Sequence, residues 1–151
     1  MGEHHRYQTD SYLLRADWTF PVPIAYGPGR FSELPVHCRQ LNMTNPLIVT
    51  DRGTSALPFI SKAIKLLDSS GVRSNLFAEV NPNPTQDNVM RARSVFRSGG
   101  HDSIIAIGGG SGMDAGKAVA LTAGSDLDLW AYDYDKNPPE MSPGAYFPSL
   151  L

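Results

Sequence analysis

Ile104-Ile105-Ala106-Ile107-Gly108-Gly109-Gly110-Ser111-Gly112-Met113-Asp114-Ala115-Gly116-Lys117 joins a short apolar run to a glycine-rich turn and then to an alanine-rich stretch that continues to Ala123. A continuously apolar run of this length reads as a strand buried on both faces, and alanine favours the helix after it. A buried strand that delivers a glycine turn into a helix N-terminus makes an anion site. Backbone without side chains lets a phosphate reach N–H groups that have no intrahelical partner, at the positive end of the helix dipole. Diphosphate binding is therefore one reading. A tight strand-to-helix turn is the other, with Ser111 as the N-cap and Asp114 completing a variant capping box three residues later. The two are not mutually exclusive.

Other glycine templates fit less well. A Walker A loop needs glycine where Ser111 stands and Ser or Thr where Ala118 stands, and the esterase elbow needs glycine where Met113 stands. Gly110-x-Gly112-x-x-Ala115 satisfies the loose dinucleotide fingerprint, a pattern too short to carry the assignment by itself.

Outward from this stretch, glycine and proline punctuate apolar runs at the spacing of alternating strands and helices. Val22–Tyr26 reads as a strand ended by Gly27-Pro28-Gly29, and Phe31–Leu41 as a helix in which Pro35 is tolerable only near the first turn. Pro46–Asp51 is a second buried strand. A helix is expected from Thr54 to Ser69, with Leu57, Ile60, Ile64 and Leu67 on one face and Gly71 as its stop. A strand over Asn75–Val80, a helix over Thr85–Arg97 and the strand Ser103–Ile107 follow. Residues Gly124 to Pro143 read as a loop with at most one helical turn around Leu127–Trp130, and Tyr146–Leu151 as the start of another strand. The economical architecture is an α/β fold with a doubly wound, mainly parallel sheet and right-handed crossovers.

Asp51 ends a buried strand, where ligands bind in open α/β sheets; a carboxylate there can accept both hydroxyls of an adenosine ribose and would repel a 2′-phosphate. It could equally be the solvated acid of a β-α turn, and Arg52 beside it could welcome the extra phosphate. Asn81-Pro82-Asn83-Pro84-Thr85 reads as a rigid, extended connection with Thr85 as a helix cap. Trp130, Tyr132 and Tyr134 alternate with Ala131 and Asp133, as a strand face, a stacking surface or a satellite cluster under a loop would.

Composition narrows the classes. The chain has 151 residues, 41% hydrophobic and 19% charged, with a net charge of −2, enough for one compact domain and without the basic surface that nucleic acid or an anionic membrane needs. No apolar run approaches the ~18 residues of a membrane span, and MGEHHRYQTD lacks a signal-peptide core. Cys38 is the single cysteine, which either suits a reducing compartment, and with it a cytoplasmic location, or is simply indifferent to redox. Of the four histidines, His4 and His5 fall in a polar arm and His37 and His101 are isolated, so no pair has metal-ligand spacing.

Together, Ile24-Ala25-Tyr26-Gly27-Pro28-Gly29, Leu47-Ile48-Val49-Thr50-Asp51, Pro82-Asn83-Pro84-Thr85 and Gly108-Gly109-Gly110-Ser111 with Asp114 and Lys117 resemble, in order and in kind, the N-terminal nucleotide-binding domain of iron-containing (group III) alcohol dehydrogenases. The resemblance covers Phe20 to Leu151. It implies an N-terminal arm over residues 1–19 and a Rossmann-like dinucleotide-binding domain over 20–151, ahead of a helical domain that supplies aspartate and histidines to iron or another divalent metal. It also implies that the chain stops, at Phe147-Pro148-Ser149-Leu150-Leu151, before a threonine-rich cofactor loop and those ligands. The cofactor would be NAD, with NADP possible. Asp51 would contact the adenosine ribose, Gly110 and Ser111 the pyrophosphate, and Asp114 and Lys117 the neighbouring cofactor pocket, with Asn83 on the adenosine side and Gly109 also binding cofactor. No residue of this chain would be catalytic or bind metal. The full-length enzyme would pass hydride between nicotinamide and a small alcohol or aldehyde, while this chain alone would be inactive and prone to self-association. Glycerol dehydrogenase and dehydroquinate synthase share the domain type. From another class, the alternative is a non-catalytic nucleotide-binding or interaction module that completes its sheet with a partner chain.

Overall fold

The computed structural model describes residues 16–18, 22–140 and 146–151. His4 and His5, the rest of the arm through residue 15 and the loop end at 141–145 lie outside the described residues. The chain forms two compact units that meet in sequence at Leu34 and Pro35. In the first, β1 (Ala16–Trp18) pairs antiparallel with β2 (Ile24–Tyr26). Gly27 and Gly29 follow at positive φ, and a 3-10 turn runs from Arg30 to Glu33. The helix expected over Phe31–Leu41 thus begins as 3-10, and only α1 (Leu34–Gln40) is α-helical.

The second unit is the α/β domain. Its strands β3 (Pro46–Asp51), β4 (Asn75–Val80), β5 (Ser103–Ala106) and β6 (Ser149–Leu150) make one parallel sheet in the order β4-β3-β5-β6. The helices between them are α2 (Arg52–Ser55), α3 (Pro58–Ser69), α4 (Gln86–Ser98) and α5 (Gly110–Thr122). Alternate side chains divide the sheet into two buried faces. Leu47, Val49, Phe77, Ile104 and Ala106 pack with Val89, Ala92 and Phe96 of α4 and Ala115, Val119 and Ala120 of α5. Ile48 and Ile105 are buried on the other face. Ile60, Ala63 and Leu67 of α3 are buried outside the first cluster, and a right-handed β3-α3-β4 crossover puts α3 on that second face. The sheet is doubly wound.

Three local expectations are corrected. The helix read from Thr54 to Ser69 is broken, because Leu57 is extended (φ −80°, ψ 145°) and α3 starts at Pro58; proline disfavours the helical region for the residue before it. The connection Pro82-Asn83-Pro84 is not extended, since Asn83 takes φ 56°, a left-handed conformation that asparagine tolerates. Trp130, Tyr132 and Tyr134 lie in 3-10 turns over Leu129–Tyr132 and Tyr134–Lys136, not on a strand face.

Asp102 anchors the end of the sheet opposite the glycine turn. Its carboxylate accepts from Thr44 N (2.8 Å), Thr44 Oγ1 (2.5 Å), Asn45 N (3.0 Å) and Ser103 Oγ (2.6 Å), tying the start of β3 to the start of β5. Burial alone would raise its pKa, but the bonds from Ser103, Thr44 and Asn45 outweigh it and hold the carboxyl below the usual range. A depressed carboxyl adds stability above the unfolded value, about pH 4, and loses it as pH falls through the folded value. Asp102→Ala is therefore expected to cost about 2 kcal/mol in urea unfolding at pH 7. Part of that difference should vanish at pH 3, whereas an equal cost at both pH values would contradict the assignment.

Candidate cofactor site

The order β4-β3-β5 creates a switch point. From β3 the chain crosses outward to β4, whereas from β5 it crosses the other way to β6, so the connections leaving the carboxyl ends of neighbouring β3 and β5 diverge. Such a divergence opens the crevice in which α/β sheets hold ligands. Asp51 and the glycine turn stand at its two lips.

Asp51 is held firmly. It is the N-cap of α2, with Oδ1 accepting from Thr54 N (2.8 Å) and Oδ2 from Thr54 Oγ1 (2.6 Å). These bonds, the hydroxyl's first, lower its pKa below the usual carboxylate value. Across the crevice, Ile107 N donates to Val49 O (3.0 Å) and Thr50 Oγ1 to Ile107 O (2.6 Å), so the strand ends are clasped just before Gly108. Gly108 takes φ 143°, and a Cβ there would meet Asp51 Oδ2 at 3.3 Å. The absent side chain is what lets the turn and the carboxylate approach.

The remaining glycines divide by what surrounds them. At Gly109 and Gly110 an added Cβ would meet nothing within 4 Å, whereas at Gly112 it would come within 3.2 Å of Ile107 O and at Gly116 within 2.5 Å of Ala106 Cβ. The first pair borders open space. The second lets α5 lie against the end of β5. Helix interiors disfavour glycine by about 1 kcal/mol relative to alanine, and close helix-strand contact explains its presence at Gly116.

The capping expectation is overturned. α5 begins at Gly110, its N-cap is Gly109, and no side chain caps it. Ser111 is already the second helical residue, and Asp114 pairs with Lys117 Nζ (3.3 Å), not with the turn. The helix starts two residues earlier than the capping box required, with Gly109 rather than Ser111 as its extended N-cap. The first N–H groups of α5 are therefore left without a side-chain acceptor at the cap.

The other sequence-derived candidates are more dispersed. Lys117 starts roughly 10 Å down α5 from Gly110. Asn83 lies beyond the carboxyl end of β4, on the same sheet edge but one strand further from the turn. Asp114 lines a cavity of about 400 Å³ with Thr85, Gln86, Leu129 and Trp130. There Trp130 Nε1 donates to Gln86 Oε1 (2.6 Å) and Gln86 Nε2 to Asp128 Oδ2 (2.6 Å). Asn88, fully buried, fixes the rim by accepting from Thr85 N (3.2 Å) and Asn81 N (3.3 Å). The sequence reading missed Thr50, Thr54 and Gln86. Only Thr54 left a signal, since an acid three residues before a threonine is a capping pattern.

No helix among the described residues is long and apolar enough to cross a membrane. Among the same residues, no three His, Cys, Asp or Glu side chains converge as metal ligands would. The described residues do not fit a metal centre.

The fold and the crevice define a Rossmann-like α/β domain. The sequence model for iron-containing alcohol dehydrogenase matches residues 21–148, and the chain belongs to that family. It is 33% identical over 118 residues to 1,3-propanediol dehydrogenase of Klebsiella pneumoniae, covering 77% of this chain and 30% of that one. It thus spans less than a third of the length of this relative. Among solved structures, an archaeal halo-thermophilic Red Sea brine pool alcohol dehydrogenase superposes with a TM-score of 0.73 at 28% identity, over 80% of this chain and 32% of the other. Sulfoacetaldehyde reductase from Bifidobacterium kashiwanohense, solved in complex with NAD+, gives 0.66 at 26%, over 82% and 31%.

Proposed function

We propose that residues 20–151 form the dinucleotide-binding half of a cytoplasmic, metal-containing alcohol dehydrogenase that uses NAD in preference to NADP. The observation that carries this reading is the meeting of Asp51 and the Gly108–Gly110 turn across one switch-point crevice. Asp51 would accept the ribose hydroxyls while Gly109, Gly110 and Ser111 offer backbone N–H groups to the diphosphate. Asp114 lines the neighbouring cavity, and Asn83 and Lys117 would lie at the margins of the cofactor. The space that side chains at Gly109 and Gly110 would otherwise reach is where the diphosphate would approach. Bound nicotinamide supplies the hydride acceptor or donor for the alcohol–aldehyde couple. This chain's part is to grip and orient the dinucleotide, with metal ligands and the alcohol pocket assigned to a further helical domain.

Titration calorimetry with NAD and NADP tests the reading. NAD should bind more tightly, and Asp51→Ala should narrow the gap at least tenfold by removing the hydroxyl acceptor and the repulsion of a 2′-phosphate together. Equal affinities before mutation would mean that Arg52 governs the ribose end.

A further inference from the structure

Thr54 touches both oxygens of the candidate ribose-binding carboxylate. Its N–H donates to Asp51 Oδ1 and its hydroxyl to Asp51 Oδ2, at 2.8 and 2.6 Å. Each carboxylate oxygen keeps a lone pair, because an ionised carboxylate offers about four acceptor sites. The clamp thus fixes the plane of the group without exhausting its capacity for two further hydroxyl donors. Thr54 Oγ1 also lies 3.5 Å from the position a Cβ on Gly108 would occupy, and Thr50 Oγ1 lies 3.6 Å from it. Both hydroxyls and the carboxylate therefore converge on the side of Gly108 from which a side chain would project.

We propose that Thr54 is the positioning residue for dinucleotide selectivity, holding the Asp51 carboxylate toward the Gly108 turn so that it accepts a vicinal diol and excludes a 2′-phosphate. This rests on the reading of Asp51 as the ribose acceptor. Without the hydroxyl, the carboxylate is held by backbone N–H groups alone, Thr54's first, and can turn about its terminal torsion, a broad and nearly two-fold one. In other rotations it meets the two ribose hydroxyls less well, and an incoming phosphate can find it turned aside. Thr54→Val removes the hydroxyl at nearly constant volume, while Thr54→Ser keeps it.

The test combines calorimetry with NAD and NADP and a carboxyl NMR titration of Asp51 in the wild-type chain and both variants. Thr54→Val is expected to weaken NAD roughly five- to tenfold, to leave NADP unchanged or tighter, and to raise the Asp51 pKa toward the ordinary carboxylate value. Thr54→Ser should restore all three. A purely structural role for Thr54 would weaken both dinucleotides alike and leave their ratio fixed, and that result overturns the proposal. An unmoved Asp51 pKa in Thr54→Val overturns it as well, by showing that the hydroxyl does not hold the carboxylate. If the Asp51 pKa rises but the wild-type chain shows no preference for NAD, it is the ribose reading that fails, and the selectivity role falls with it.

Discussion

Gly110→Val is expected to abolish most dinucleotide binding while leaving the fold intact. A side chain at Gly110 meets no protein atom within 4 Å of its Cβ, so the domain has no steric reason to resist it. The same branched side chain projects from the first residue of α5, beside the N–H groups that a diphosphate must approach to about 3 Å. Losing one or two charge-assisted bonds of about 1.5–3 kcal/mol each corresponds to roughly a hundredfold weaker affinity. Calorimetry with NAD and urea unfolding on the same preparation separate the two effects. Unchanged NAD affinity in a folded variant would show that the diphosphate lies elsewhere, and an unfolded variant would contradict the open surroundings of Gly110.

Gly116→Val should do the reverse. Its Cβ would stand 2.5 Å from Ala106 Cβ and 3.4 Å from Ile104 Cγ2, inside the cluster that joins α5 to β5. Neither neighbour is the far end of a flexible chain, so α5 must move off the sheet. Overpacking of this kind costs about 1–3 kcal/mol for modest insertions and more when backbone is displaced. A loss of at least about 3 kcal/mol is expected, a large share of the 5–15 kcal/mol that separates folded from unfolded domains. Gly116→Ala should be milder, since improved helix propensity offsets about 1 kcal/mol. Urea midpoints for Gly116→Val, Gly116→Ala and Gly110→Val decide the matter, and equal stability across the three would refute the division of the glycines into packing and open positions.

Asp102→Ala, Asp51→Ala and Thr54→Val complete the set, and the first shows how unevenly function and stability were written into the chain. Asp102 stands before its apolar run and Asp51 ends one, but no local signal shows what each acid holds. The former caps the amino end of the sheet and the latter faces the crevice at its carboxyl end.

The buried strands were legible because residues covered on both faces must be apolar along their whole length, as in Pro46–Asp51 and Ser103–Ala106. Amphipathic spacing located α3 and α4, although Pro58 cut the first of these where apolar periodicity alone ran on. The glycine motif was legible as a strand-turn-helix signal, and its order with the other three segments pointed to the family. The sequence could not say which glycines served a ligand and which served packing, because a missing side chain looks the same in both roles and only its neighbours distinguish them. Asp51 and Gly108 both end buried strands and both match the family's cofactor positions, which put Asp51 close to the Gly108 turn at the carboxyl edge, but no local signal sets their contact. They are 57 positions apart, and their meeting depends on β5 pairing with β3 rather than with β4. That choice belongs to the tertiary structure: right-handed crossovers and burial of both sheet faces fix the strand order, and the strand order fixes where the crevice opens.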